Sequence, residues 1–247
     1  MPKKFYNYFS RIYNTRKLLK REIGKITLEP KATVYFNSIR LMPRHFIMEI
    51  NIMLLLIKQG YKIEVIIDDG VFEHTDTDCI SSNGLMFYKV KFKVLKYRRF
   101  IEYYIWKLVI GNISQRLKFI NASKIYREYG IKLQSKKKSK RNEFVQSSMI
   151  RFFNNEVWNS TKLSNWYEKI TFNNVYISES IGIYVENKIK NIQSNIFITS
   201  HGIYSTYGPA YNEITQVKQR IVYGPNIYCI GSIQFFNNTQ QFSFNED

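Results

Sequence analysis

The segment FITSHGIYSTYGPA, Phe197 to Ala210, crowds an imidazole, two phenols and two glycines into one loop after a short apolar run. His201 carries the side chain whose reference pKa lies nearest neutrality, so it suits the base that takes a proton from an attacking hydroxyl. A histidine that hydrogen-bonds its own loop would have the same sequence signature. Ser200, Tyr204 and Tyr207 add hydroxyls for binding, and a phenol can also stack on a ligand face, although with 19 tyrosines in the chain packing is an equal reading. Gly202 allows close backbone approach, and Gly208 a turn before Pro209.

Four other places hold groups able to do chemistry. Asp68 and Asp69 end the run YKIEVIIDDG, where a carboxylate could act as a base, bind a hydroxyl or cap the turn through Gly70. Arg40 and Arg44 flank a helix start, where cationic forks and backbone N–H groups can hold an anion. Arg151 in SSMIRFF lies among apolar residues of core type. EHTDTD, Glu73 to Asp78, matches no standard ligand spacing, and Cys79 and Cys229 are far apart without a CxxC pattern, so no metal is expected.

These residues need a frame. ATVYFNSI reads as a strand, Pro43 onward as a helix, Gly60 as its stop and YKIEVIIDDG as a buried strand, which is a βαβ unit. NIFITS, PAYNEITQVKQ and RIVYGPN form a second. Helices are expected between, over RNEFVQSSMIRFFNNEVW and from Thr161 onward, whereas YKVKFKVLKYRRF alternates like a strand with one basic face. The fold class expected is α/β: a Rossmann-like, open, mainly parallel sheet flanked by helices. Ligands then bind beyond the strands' carboxyl ends, where the loop of His201 and the Asp68–Asp69 pair both fall.

Net charge is +18, and it is uneven: residues 1–141 hold 30 Lys/Arg against 11 Asp/Glu, residues 142–247 only 7 against 8. A basic amphipathic helix occupies residues 1–30, followed by a domain over 31–247 with a basic insertion around 85–141. The helix admits three partners: its own domain, an anionic membrane surface or nucleic acid. No RRM, KH or zinc-finger signature is present, which disfavours nucleic acid. FIMEINIMLLLI is too short to cross a membrane and carries Glu49, and the first residues lack a signal peptide's apolar segment. A cytoplasmic protein is expected, peripheral at the inner membrane face at most.

In order and spacing, VIIDDGVFEHTDT, SSMIRFF and ITSHGIYSTYGPA…IVYGPNIY resemble the N-terminal half of bacterial capsule and surface-polysaccharide glycosyltransferases of the GT-B type, over Val34 to Phe236. The resemblance implies an acceptor-side domain with His201, Asp68 and Asp69 as catalytic candidates. Arg40, Arg44, Arg151, Ser200, Gly202, Tyr204 and Tyr207 would hold a glycan or lipid-linked acceptor. The chain stops at Asp247, where a donor domain would begin, and it has no E-x7-E donor signature. It would therefore bind no cofactor itself; the nucleotide sugar would sit on a missing second domain or on a partner chain. The alternatives are a non-enzymatic binding or scaffold subunit at the membrane surface and a basic nucleic-acid-binding protein.

Overall fold

The computed structural model describes residues 3–26, 29–39, 43–73, 84–111, 113–130, 141–153, 161–189, 195–200, 204–215, 219–225 and 233–236. Among them, α1 is Lys3–Ile23, β1 Ala32–Ser38, α2 Pro43–Lys58, β2 Tyr61–Ile67, α3 Leu85–Val109, β3 Leu117–Asn121 and α4 Ala122–Tyr129. Then come α5 Arg141–Phe153, α6 Lys162–Ile189, β4 Ile196–Ser200, α7 Gly208–Glu213, β5 Gln219–Pro225 and β6 Ile233–Phe236. The strands form one sheet in the order β3-β2-β1-β4-β5-β6, parallel except for β6, which runs antiparallel to β5.

β1 and β2 are buried on both faces, as a sheet covered by helices requires, so their text is nearly continuous apolar residues rather than an alternation. Val34 and Phe36 face a core shared with α1, α2 and the C-terminal half of α3, where Phe46 meets Trp106 edge to face at 4.7 Å. Tyr35 and Phe197 face the other core, shared with α4, α6 and α7. Burying each such side chain stabilises the fold by roughly 1.5–3 kcal/mol. A third cluster joins Tyr88 and Phe92 of α3 to Val145, Met149 and Phe152 of α5 and Tyr167 of α6.

Local signals set the ends. α2 starts at Pro43 and stops at Gly60, whose φ of 90° is a left-handed conformation that suits glycine. Thr161 caps α6 in a reciprocal pair: its Oγ1 accepts from Ser164 N at 3.1 Å while Ser164 Oγ accepts from Thr161 N at 2.9 Å. α6 and α7 touch closely at Gly182, where an added Cβ would sit 2.5 Å from Glu213 Cβ and 2.7 Å from the Ala210 carbonyl oxygen.

One expectation changes, and one of the three partners open to the N-terminal helix is seen. The YKVKFKVLKYRRF segment is part of the 25-residue helix α3, not a strand. The apolar stripe of the basic N-terminal helix is taken up by the protein itself, since Ile12, Leu19 and Ile23 are buried in the first core. The basic stretch 85–141 contributes α3, β3 and α4, with β3 forming one edge of the sheet. Among the described residues, no helix is long and apolar enough to cross a membrane.

Candidate functional site

The strand order reverses between β1 and β4, and in an open α/β sheet that reversal leaves a crevice at the carboxyl ends of the strands. Asn37 and Ser38 end β1, Thr199 and Ser200 end β4, and all four are buried. Successive residues of a strand face opposite sides, so Ser38 falls on the side of α2 and Asn37 on the side of α6.

On the α2 side, the Ser38 hydroxyl donates to one oxygen of Glu49 and the Tyr223 hydroxyl donates to the other. Glu49 lies in mid-α2 and is buried, and the Phe36 ring packs 5.7 Å from that of Tyr223. A hydroxyl within reach of a carboxylate that a third group holds in place is the arrangement of an activated nucleophile: Glu49 can accept the Ser38 proton as the oxygen attacks.

On the α6 side, Asn37 Nδ2 donates to Thr199 Oγ1 at 3.2 Å, and the buried Asn37 Oδ1 has no hydrogen-bond partner among the described residues. Arg141 at the start of α5 grips Glu179 of α6 with Nε at 2.8 Å and Nη2 at 2.7 Å, both side chains buried, and its guanidinium lies 4.7 Å from the Tyr176 ring centroid. Ser148 Oγ donates to Ser205 Oγ at 3.0 Å and accepts from Ser205 N at 2.9 Å, fixing α5 to the turn before α7. The same turn is closed by Gly208 N donating to the Tyr204 carbonyl at 2.8 Å.

The two aspartates at the end of β2 are engaged in the fold. Asp68 Oδ1 accepts from the backbone N of Gly70, Val71 and Phe72, at 2.8, 2.9 and 3.3 Å, and Gly70 takes a φ of 89° in this turn. Asp68 Oδ2 is ion-paired to the buried Arg99 Nε at 3.0 Å, a contact outside hydrogen-bond alignment, while Arg99 Nη2 donates to the Phe72 carbonyl at 2.7 Å. Burial pushes the Asp68 carboxyl up from its ordinary value, while Arg99 and the backbone N–H groups pull it down. Asp69 accepts from Ser123 N at 3.0 Å and from the Asn121 amide at 3.1 Å, so it braces the first turn of α4.

Of the other residues singled out in the sequence, Ser200 and Tyr207 are buried at the crevice end, Tyr207 within the second core, and Tyr204 is half-buried. Arg151 is exposed, while Val145, Ser148, Met149 and Phe152 form the buried face of its helix. Arg44 lies in the first turn of α2. His201, Gly202, Arg40 and the run from His74 to Asp78 lie outside the described residues.

No family model and no curated protein matches the sequence. Among solved structures, a cyclodipeptide synthase from Fluoribacter dumoffii superposes with a TM-score of 0.50 at 10% identity, covering 84% of this chain and 92% of that one. The fold resembles that of a cyclodipeptide synthase. A cyclo(L-leucyl-L-phenylalanyl) synthase follows with a TM-score of 0.42 at 12% identity over 82% of this chain and 89% of its own. A cyclodipeptide synthase from Streptomyces noursei gives 0.38 at 11% identity over 69% and 83%.

The Fluoribacter dumoffii structure overturns the glycosyltransferase reading. The counterpart of this chain is nearly the whole of a cyclodipeptide synthase fold and not the acceptor half of a two-domain sugar transferase. With that reading go the capsule and surface-polysaccharide assignment, the glycan or lipid-linked acceptor and the partner chain with a donor domain. The scaffold subunit and the nucleic-acid-binding protein do not fit this neighbour either. Ser38 and Glu49 escaped the sequence reading, although a signal existed. Glu49 is the lone acid inside the apolar run FIMEINIMLLLI, and a helix hydrophobic on most sides keeps a carboxylate only where donors meet it.

Proposed function

We propose that this chain joins two aminoacyl groups carried on tRNA and releases them as a cyclic dipeptide. The observation that carries the reading is the Ser38–Glu49–Tyr223 group at the strand reversal of a fold similar to a cyclodipeptide synthase. Ser38 Oγ attacks the ester carbonyl of the first aminoacyl-tRNA and gives its proton to Glu49. The bond to the ribose oxygen breaks, that oxygen takes the proton, and the aminoacyl group rests on Ser38. The amine of a second aminoacyl-tRNA then attacks this ester, forming the first amide and restoring the serine hydroxyl. The free amine of the resulting dipeptidyl-tRNA attacks the remaining ester, closing the ring and releasing the second tRNA. Two esters are consumed and two amides formed, with no further reactant. Asn37 Oδ1, an acceptor without a donor among the described residues, suits the amino group of a bound aminoacyl unit.

Charge and shape support the same substrate. A chain of net charge +18 attracts a polyanion. A cavity of about 250 Å³ is lined by Lys89, Lys93 and Lys96 of α3, Glu73, and the rings of Phe92 and Trp166, which stack at 5.5 Å. Lysines beside stacked rings suit a phosphate chain and the face of a base.

The test is incubation of the purified chain with a tRNA pool charged with all amino acids, followed by mass spectrometry for cyclic dipeptides. Product that depends on the chain and disappears when the tRNA is deacylated beforehand is expected. Absence of any cyclic dipeptide from a folded chain that binds the charged pool would overturn the reading.

A further inference from the structure

α3 is apolar on two opposite faces, and the described residues pack against only one of them. Tyr88, Phe92, Tyr103 and Trp106 pack into the protein, while a second row runs along the solvent side at alternating steps of three and four residues. Phe87, Val94, Ile101 and Leu108 occupy one set of positions seven apart; Val90, Tyr97 and Tyr104 fill the set between them. Their exposure reaches 60% at Tyr97 and 71% at Leu108. Met86 and Phe100 widen the stripe, both exposed. Taking about 150–250 Å² for a whole large side chain, these exposed fractions amount to on the order of 1,000 Å² of side-chain surface. That exceeds the roughly 300–600 Å² of the largest patch on a typical monomer. It also exceeds the about 800 Å² that each partner contributes to a standard interface.

We infer that this face of α3 pairs antiparallel with the same face of α3 in a second copy of the chain. A strict 3.5-residue repeat sustained over three heptads is the seam of two helices that wind around each other, each apolar residue entering a hole between four of its partner. Charge sets the direction. Lys89, Lys91, Lys93 and Lys96 are concentrated in the N-terminal half of α3, and its one acid, Glu102, is buried and held by Arg98 at 2.9 Å. A parallel pair would set the lysine-rich halves against each other; an antiparallel pair lays each against the C-terminal half of the other, where two of the three cations, Arg98 and Arg99, are paired with Glu102 and Asp68, and opposes the helix dipoles favourably. The remaining repulsion gives the interface an unusual sign: added salt screens the lysines and strengthens the pair, the opposite of its effect on tRNA binding. The inference rests on α3 alone and stands whether or not the chain makes cyclic dipeptides.

Sedimentation equilibrium on the full chain, at low and at about 0.5 M salt, tests it. A two-copy mass is expected, with the dimer dissociation constant falling several-fold as salt rises. Val94→Glu with Ile101→Glu should give folded monomer at the same concentration with an unchanged circular dichroism spectrum, because both side chains are exposed. Mixing Val90→Cys chains with Tyr104→Cys chains should give disulfide-linked dimer far more readily than either alone. A monomer at every salt concentration would overturn the inference, as would a dimer indifferent to the double substitution or crosslinking fastest for Val90→Cys alone. So would a monomer whose stripe instead binds vesicles or tRNA and loses that binding in the double variant.

Discussion

Ser38 and Glu49 are eleven residues apart in sequence, one ending β1 and the other in the middle of α2, and the serine hydroxyl donates to the carboxylate inside the protein. The pair therefore belongs to a single βα unit, and its geometry depends on the packing of α2 against the sheet rather than on a loop.

Glu49→Gln keeps the shape of the side chain and removes the base. Cyclic dipeptide formation should fall by about 10²–10⁴-fold. Ser38→Ala should abolish the labelled aminoacyl group that wild-type protein retains after acid quench, at a stability loss of about 1–3 kcal/mol for a carboxylate oxygen left without its donor. Retention of label by the alanine variant would move the acyl group to another residue.

Arg141 and Glu179 form a buried bidentate pair, so removing one partner leaves a charge with no compensation. Arg141→Met should lower stability by about 3–5 kcal/mol in urea unfolding, and the double change with Glu179→Leu should recover most of that loss. Equal losses in single and double variants would show that the pair matters only as packing.

Gly182 lies where α6 and α7 meet without room for a methyl group. Gly182→Ala should cost about 1–3 kcal/mol through overpacking and displace α7, which carries the chain out of the Tyr204–Tyr207 turn. A melting temperature equal to that of the wild type would mean that α7 gives way freely.

The pairing of α1 with α2 should be pH-sensitive. Lys58, 2.7 Å from Glu22, and then Arg21, 2.8 Å from it, hold the Glu22 carboxyl at about 2, against a usual value of 4.5. A depressed acid stabilises the folded state above its unfolded pKa, and that contribution fades as pH drops from about 4.5 through 2. Lys58→Gln should flatten this part of the pH–stability curve, and so should high salt, since Glu22 is in contact with solvent. A curve unaltered by Lys58→Gln would assign acid sensitivity to other carboxylates.

The first βα unit is legible in the sequence because each signal in it is local: Pro43 opens a helix, Gly60 closes it, and the flanking strands are apolar throughout. α3 defeats the same reasoning. Its buried Tyr88 and Phe92 and its exposed Val90 and Val94 lie on opposite sides of one helix, yet in text they fall two residues apart, which imitates the alternation of a strand. The site is less legible still. Asp68 and Asp69 stand out as paired acids but turn a corner and brace α4, while Ser38, Glu49 and Tyr223 are commonplace residues that only the sheet brings together.

The position of β1 in the sheet also governs the order in which the molecule can be built. Its partner β2 lies close in sequence, Ala32 opposite Tyr61, but its other edge is filled only by β4, and Asn37 meets Thr199 across 162 residues. At about 5–20 residues per second of translation, that edge stays open for roughly 10–30 s, a pairing surface for any other strand in reach. Closing so long a loop slows folding more than it weakens the folded state. A ribosome stalled before Ser200 therefore holds a half-sheet in which the crevice does not yet exist, and the Ser38–Glu49–Tyr223 group is completed only when β5 follows the strand that seals the open edge of β1.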